Sequence, residues 1–218
     1  MRRAWLLLAL LATGCPRHVG GVDDAGAGID AGPTSRDGGG YDPVLGNGYD
    51  GPLLLDDERL AAIDGNGLRA GASQCHAPVR GRVYRVVDGD TFHFTAADGS
   101  LDATVRIIGI DTPEIAHPDA MPPTAADCYG DEARAFTMQL LDHQVWLTFD
   151  NDCYDPYDRL LAYVHIGAGA GDFFERQLLR RGLARVLTVG SNRQYASLFR
   201  DDESAAMTAN AGLWSACF

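Results

Sequence analysis

The feature that most constrains the fold is a series of short apolar segments that begins near residue 80 and is divided by Gly and Asp turns. Five segments have the composition of β-strands: 83–87, 91–95, 101–110, 145–149 and 160–166. Three segments have the apolar periodicity or the end signals of helices: 129–143, 172–181 and 194–210. A three-stranded meander, an inserted helix and two further strands suit a small closed barrel. The predicted fold class is α+β, a five-stranded β-barrel of the OB type with three helices.

The N-terminus has the pattern of an export signal. Residues 1–14 contain two arginines and then a short apolar run, which is too brief to cross a membrane as a mature helix and is typical of a signal peptide. The next residue is Cys15, and residues 12–15 resemble a bacterial lipobox, in which this cysteine carries the lipid. We therefore expect an exported protein that is either lipid-anchored to the bacterial cell envelope through Cys15 or secreted.

The segment between the signal peptide and the barrel divides into two parts. Residues 15–40 are rich in Gly, Asp and Ala and have few large apolar side chains, which predicts a disordered tether. Residues 41–79 have isolated leucine clusters and are expected to be a linker or an N-terminal extension of unknown role. Residues 80–218 would then be the folded domain that contains the predicted barrel.

Export allows the cysteines to form disulfides, because an oxidising compartment lets them persist. Four cysteines remain when Cys15 is set aside: Cys75, Cys128, Cys153 and Cys217. Two disulfides are expected, and sequence alone leaves three connectivities open. A zinc site would require closer spacing such as C-x-x-C, which the sequence lacks.

The charge of the chain limits how it can bind a polyanion. The formal net charge is -12, and all 18 basic residues are arginine. From residue 80 onward, 12 arginines face 20 acidic residues. Long-range attraction of a polyanion such as nucleic acid is therefore expected to be weak, so any such binding would have to depend on local arginines and on a metal ion.

Carboxylates and arginines recur where the predicted strands end. The turn at 88–91 would be an ordinary hairpin turn if it stood alone. However, the third strand ends in Asp-Thr-Pro-Glu at 111–114, and Arg106 lies five residues before Asp111 within apolar surroundings. Phosphodiester hydrolysis requires a hard cation, arginine clamps and a carboxylate that orients water. The residues that would supply these parts are Asp90, Asp111, Glu114, Arg106 and Arg159.

Several motifs in the same order and spacing resemble the staphylococcal nuclease-like (thermonuclease) family. They are Val-Asp-Gly-Asp-Thr at 87–91, Val-Arg-Ile-Ile-Gly-Ile-Asp-Thr-Pro-Glu at 105–114, Tyr-Gly at 129–130 and Asp-Pro-Tyr-Asp-Arg-Leu-Leu-Ala-Tyr at 155–163. The similarity runs from about residue 82 to residue 215. It implies an enzyme that hydrolyses DNA and RNA, as an endonuclease or exonuclease, to 3'-phosphorylated nucleotides or oligonucleotides.

The resemblance also implies roles for individual residues. Asp90 and Asp111 would bind Ca²⁺ through their carboxylates, and Thr112 through its main-chain carbonyl. Glu114 would act on the attacking water, either as general base or by orienting it. The remaining roles concern the substrate: Arg106 and Arg159 would clamp the scissile phosphate, and Tyr157 would hydrogen-bond a terminal phosphate. The partners implied are DNA and RNA as substrates, and the chain is expected to be a monomer.

Two departures from the family pattern affect substrate binding. Relatives that bind nucleotides tightly carry tyrosines where this chain has Thr188 and Gly190, and ring stacking contributes about 1 to 3 kcal/mol per base. The family's usual glycine before the second arginine is Asp158, which places a carboxylate beside Arg159 in the sequence. That carboxylate would either hold Arg159 or compete with the substrate phosphate.

The loop 117–128 is longer than in the best-known member and contains Cys128. We therefore predict a Cys128–Cys153 disulfide that holds this loop beside Arg159. The second predicted disulfide, Cys75–Cys217, would join the two ends of the domain.

Two other functions remain compatible with the sequence. One is a non-catalytic OB-type nucleic-acid-binding module that has kept the fold and lost the metal site. The other is a surface interaction lipoprotein in which residues 16–79 do the important work, which the negative charge favours. A measured calcium affinity would separate these alternatives from the enzyme.

Overall fold

The computed structural model describes residues 41–119 and 121–218. The predicted signal peptide, Cys15 and the predicted tether lie outside the described residues. The part of the chain that is described contains no helix long and apolar enough to span a membrane.

The described chain has seven strands: β1 (Val79–Val86), β2 (Thr91–Ala96), β3 (Asp102–Ile107), β4 (Ile110–Asp111), β5 (Gln144–Thr148), β6 (Leu160–His165) and β7 (Arg185–Val186). Five of them close into a barrel in the order β1-β2-β3-β6-β5, in which only the β3–β6 pair is parallel. The short strands β4 and β7 form a separate antiparallel pair. The predicted fold class, an α+β protein built on a five-stranded barrel, is confirmed.

The barrel interior is apolar because alternate residues of each strand point inward. The side chains that fill it include Val83, Phe92, Phe94, Val105, Ile107, Val145, Leu147, Leu160, Ala162 and Val164, all of which are buried. This core fixes the strand ends, and the site residues lie at those ends.

The prediction of one strand over residues 101–110 was wrong, because this segment forms parts of two strands. β3 ends at Ile107, and Gly109 adopts a left-handed backbone with φ 83°. Glycine reaches this conformation without the steric cost that a β-carbon brings. The chain therefore turns, and β4 pairs with β7 instead of continuing along the barrel.

Five α-helices surround the barrel: α1 (Asp57–Ala61), α2 (Gly130–Thr137), α3 (Phe174–Arg180), α4 (Ala196–Thr208) and α5 (Leu213–Ala216). The three predicted helices correspond to α2, α3 and α4. The first of these is shorter than predicted, because α2 tightens into a 3₁₀ turn at Met138–Leu140.

The N-terminal extension packs on two regions: Asn47 bonds to Asp172 before α3, while residues 57–75 lie along β5 and the loop after it. The indole of Trp146 donates to the carbonyl of Leu60 at 3.1 Å. Further along, Gly71 N donates to Phe149 O, and Cys75 N donates to Asp150 O, both at 2.8 Å. Main-chain bonds of this kind continue the barrel's hydrogen bonding into the N-terminal extension.

The four cysteines form two disulfides, but the predicted pairing was wrong. The bonds are Cys75–Cys153 and Cys128–Cys217, with Cα–Cα distances of 5.6 and 5.9 Å. The path of residues 41–79 is the reason, because it carries Cys75 to the loop that follows β5, where Cys153 lies. Cys128 precedes α2 and meets Cys217, which directly follows α5.

Candidate active site

The turn before β2 places Asp90 at the open end of the barrel. The hydroxyl of Thr137 on α2 donates to the carbonyl of Gly89 at 2.6 Å and so fixes the turn. A β-carbon on Gly89 would lie 2.7 Å from the side chain of Thr112, so only glycine allows the two segments to approach this closely. The turn 88–91 and the segment 111–114 are therefore neighbours, as the shared chemistry predicted.

The Asp90 side chain is only 7% exposed and is held by several donors. Its Oδ2 accepts hydrogen bonds from Thr112 N at 2.9 Å and from the Thr112 hydroxyl at 3.2 Å. Its Oδ1 accepts from the Thr91 hydroxyl at 3.0 Å. Burial raises the pKa of Asp90 to about 6, although the nearby Arg106 guanidinium opposes this shift.

Arg106 on β3 joins the two aspartates. Its Nη2 lies 3.1 Å from Asp90 Oδ2 and 2.8 Å from Asp111 Oδ1, so one nitrogen atom contacts both carboxylates. Its Nη1 donates to the carbonyls of Ile107 and Ile110, each at 2.8 Å. These four contacts orient the guanidinium. Two of them come from the carbonyls on either side of the turn at Gly109, so the turn also shapes the site.

The donor set at this point fits a hard divalent cation. Burial raises the pKa of Asp111, and the neighbouring Asp90 adds to the shift while Arg106 opposes it. Two adjacent carboxylates that share one arginine keep an excess of negative charge, which a cation would neutralise. Carboxylate and main-chain carbonyl oxygens are the ligands that Ca²⁺ prefers. Among the described residues, no group of three or more His, Cys, Asp or Glu side chains forms a metal site, and the set proposed here has two carboxylates and the Thr112 carbonyl.

Glu114 extends from the next turn of the chain into solvent. Its carboxyl group is 65% exposed and lies 3.7 Å from His117 Nε2. Its main chain is fixed, because the Glu114 carbonyl accepts from Asp127 N at 2.9 Å and a β-carbon on Gly130 would lie 2.2 Å from it. Glu114 thus has a fixed backbone and an exposed side chain that can meet a substrate or a water molecule.

Arg159 is held by a carboxylate that sequence reasoning missed. Asp155 Oδ2 accepts from Arg159 Nε at 2.7 Å, while its Oδ1 accepts from the main-chain N of Arg159 and of Tyr157. Burial alone would raise the pKa of Asp155, but these hydrogen bonds outweigh it and leave the pKa below its usual value. Asp158 has a left-handed backbone with φ 63°, a conformation that favours glycine. The i, i+4 spacing of Asp155 and Arg159 was the signal available in the sequence.

Arg106, Arg159 and Tyr157 line one groove with a volume of about 610 Å³. Tyr157 is 81% exposed at its rim, 5.6 Å from the Arg159 guanidinium. The apolar side chains on the facing wall are Leu187 and Val189, which alternate with Thr188 and Gly190. Gly190 also lines the groove but has no side chain to stack on a base, so the aliphatic side chains of Leu187 and Val189 lie beside a position where relatives carry a tyrosine.

Hydrogen bonds between Asp152 and residues 191–192 connect two loops that line this groove. Asp152 N donates to Asn192 Oδ1 at 2.8 Å, and Asn192 Nδ2 donates to the Asp152 carbonyl at 2.8 Å. The Asp152 carboxylate also accepts from the Ser191 hydroxyl at 2.5 Å. These bonds fix the loop that carries Tyr157 and Arg159 against the loop after β7.

Comparisons with known proteins agree with this arrangement. Residues 104–216 match the family described as "Staphylococcal nuclease homologue". The chain is 37% identical over 140 residues to the thermonuclease of Staphylococcus intermedius, covering 62% of this chain and 78% of that protein. It is 36% identical over 135 residues to the thermonuclease of Staphylococcus hyicus, covering 62% of this chain and 75% of that protein. Because the family match covers more than half of the chain and includes Arg106, Asp111, Glu114 and Arg159, the protein belongs to the staphylococcal nuclease homologue family.

Proposed function

We propose that this protein is a calcium-dependent nuclease that hydrolyses DNA and RNA to 3'-phosphorylated nucleotides or oligonucleotides. The observation that carries the proposal is the contact of one Arg106 nitrogen with both Asp90 and Asp111 at the mouth of a groove that Arg159 also lines. The relatives are named thermonucleases, which supports a nuclease.

In this proposal Asp90, Asp111 and the Thr112 carbonyl hold Ca²⁺. A bound calcium ion would neutralise charge on the phosphoryl oxygens and position the phosphate. Arg106 and Arg159 would donate to the phosphoryl oxygens. The Nη2 group of Arg106 would become available when Asp90 and Asp111 bind Ca²⁺, while the Nη1 bonds to the Ile107 and Ile110 carbonyls keep the guanidinium oriented, so little entropy is lost when it binds.

Glu114 would accept a proton from the attacking water or orient that water toward phosphorus. Its exposed carboxylate on a fixed backbone suits either role. Tyr157 at the rim of the groove would donate a hydrogen bond to a terminal phosphate. These two residues and the two arginines account for water activation, phosphate binding and charge stabilisation.

The nuclease proposal is tested by degradation of single-stranded DNA and of RNA, with calcium and with a chelator. Arg106→Ala and Glu114→Gln are expected to reduce calcium-dependent cleavage by about 10²–10⁴-fold each, the range for removing a charge-stabilising donor or a general base. Arg200→Ala, an exposed arginine on α4, is the matched control and should keep activity. Mass analysis of the products should find 3'-phosphates. A folded protein that neither binds calcium nor cuts either substrate would favour the non-catalytic binding module.

We also propose that the protein is exported as a monomer and is lipid-anchored through Cys15. Two disulfides support an oxidising compartment. Metabolic labelling with a radioactive fatty acid should label the wild-type protein and not Cys15→Ser. An unlabelled wild-type protein that is recovered from the medium would indicate secretion without an anchor.

A further inference from the structure

A second depression lies beside the proposed site and, like the groove that carries Tyr157, borders β4. Its volume is about 330 Å³, and three acidic residues, Asp111, Glu114 and Asp127, form one wall. The other wall is Arg185 of β7 and Phe218. Because Asp111 belongs to the proposed cation site, a strand that crosses this site would continue into the second depression.

Arg185 and two aromatic rings form a platform at this wall. The Arg185 guanidinium lies 5.2 Å from the centroid of the Phe218 ring and 5.6 Å from that of Trp214. The two rings are stacked on each other, with centroids 5.6 Å apart and an angle of 17°. Arg185 is exposed, and Phe218 is 78% exposed although its neighbour Leu213 is fully buried.

Rigid elements hold this platform. Arg185 is paired directly with Asp111 in the β4–β7 ladder. Cys217 is bonded to Cys128, and Leu213 N donates to the Gly182 carbonyl at 2.9 Å. The main chain next to Phe218 is therefore held, and its exposed ring lies on Trp214 and beside Arg185, with apolar surface that a ligand could bury.

The chemistry of the platform suits one class of ligand. A flat exposed ring next to a guanidinium can stack an unpaired nucleobase, while the guanidinium binds the phosphate attached to it. Paired bases are stacked within a duplex and do not offer their faces. The domain carries an excess of acidic residues, so a polyanion needs local cations of this kind.

We propose that Arg185 and Phe218, with Trp214 behind Phe218, form a subsite for one unpaired nucleotide of single-stranded DNA or RNA, on the far side of the scissile phosphate from the Tyr157 groove. The subsite rests on the proposed nuclease function. It would let a strand continue across the site on both sides of the cleaved bond, and it would favour single-stranded over double-stranded substrates.

The test measures binding of a labelled single-stranded DNA by fluorescence anisotropy in the presence of a chelator, so that binding is separated from cleavage. Phe218→Ala is expected to raise Kd about tenfold, and Phe218→Tyr should stay within about twofold of the wild type. An abasic nucleotide is then moved along the strand. When the abasic nucleotide is the one that occupies the subsite, wild type and Phe218→Ala should bind the strand with equal Kd, because the base that would stack on the ring is absent.

Arg185→Ala tests the phosphate contact. The slope of log Kd against log salt should fall by about 0.7, the value for one phosphate on a single strand. Arg200→Ala and Tyr84→Ala, at exposed positions outside both depressions, are the matched controls and should leave the slope and the abasic pattern unchanged. Thermal unfolding of each variant checks that it is folded.

The outcomes separate this subsite from the nuclease itself. Calcium-dependent cleavage with equal binding by wild type and Phe218→Ala, on intact and abasic strands, would overturn the subsite and leave the nuclease intact. Loss of binding in Phe218→Ala without any cleavage by the wild type would support the subsite and reject the nuclease. Absence of measurable binding by the wild type both with the chelator and with added calcium would overturn the subsite.

Discussion

The Cys75–Cys153 disulfide connects the N-terminal extension to the loop that carries Arg159, so its removal should affect both stability and activity. Cys75→Ser combined with Cys153→Ser opens a covalent loop with a sequence separation of 78 residues. The chain-entropy relation gives a loss of about 4.5 kcal/mol for such a span, and measured values are typically about 2–4 kcal/mol. We expect the free energy of unfolding to fall by about 3 kcal/mol.

The same change should lower kcat. Cys153 lies two residues before Asp155, whose carboxylate holds the guanidinium and main chain of Arg159. A misplacement of about 1 Å at a catalytic group can cost up to a hundredfold, so we expect a loss of kcat of about tenfold or more. The measurements are urea unfolding followed by tryptophan fluorescence, and steady-state cleavage of single-stranded DNA with calcium.

The matched control is the other disulfide, Cys128→Ser with Cys217→Ser. Its span of 89 residues is similar, so the loss of stability should be similar, but the bond itself lies beside Glu114 and Phe218 rather than beside the loop that carries Arg159. An unchanged free energy of unfolding in the Cys75/Cys153 variant would refute the reasoning, because the extension would then not depend on this bond for its anchorage.

The remaining predictions concern buried polar groups and the arginine loop. Burial raises the pKa of Glu175 well above its usual value, so the folded protein keeps a proton that the unfolded chain releases, and stability falls as pH rises above the unfolded-state pKa. Glu175→Gln should therefore raise Tm at pH 8 and leave it nearly unchanged at pH 4, as measured by calorimetry; a lower Tm at pH 8 would contradict this. Asp155→Asn keeps an oxygen acceptor but loses the charge that faces Arg159, and kcat should fall about tenfold with a smaller change in KM; equal changes in both would indicate a role in substrate binding instead. Asn47 is buried and bonds to Asp172 through its main-chain and side-chain nitrogens, at 2.8 and 2.7 Å. Asn47→Ala should lower the free energy of unfolding by about 1–3 kcal/mol in urea titration, and no loss would mean that this part of the extension is not bound in solution.

The barrel was predictable because its information is local. Each strand is a short apolar run that ends at a Gly or Asp turn, and a residue's position within such a run largely sets its burial. The approach of Asp90 to the segment 111–114 also followed, since both lie at strand ends and share one chemistry. The division of this strand into β3 and β4 at Gly109 was not predicted, because a single glycine inside an apolar run does not indicate which strand the following residues pair with.

Contacts between distant parts of the chain were beyond the sequence. The disulfide pairing depends on the path of residues 41–79 over the barrel. The interrupted leucine clusters in this segment do not predict that path. Asp158 was considered as a partner of Arg159 because the two are adjacent in the sequence. The carboxylate that holds the Arg159 side chain is instead that of Asp155, which a turn of the loop brings close. Likewise, Arg185 and Phe218 are separated in sequence and become neighbours of Asp111 only through the β4–β7 pair and the Cys128–Cys217 bond.

The two disulfides would make the activity of the proposed catalytic centre depend on the redox conditions around the chain. One holds the Arg159 loop and the other holds the segment beside Glu114, so both halves of the proposed catalytic centre depend on thiol oxidation. In a reducing cytoplasm the newly made chain would have neither bond, and its catalytic residues would lack their final positions. For the exported nuclease proposed above, the chain would then reach its full activity only after export, where the two disulfides can form.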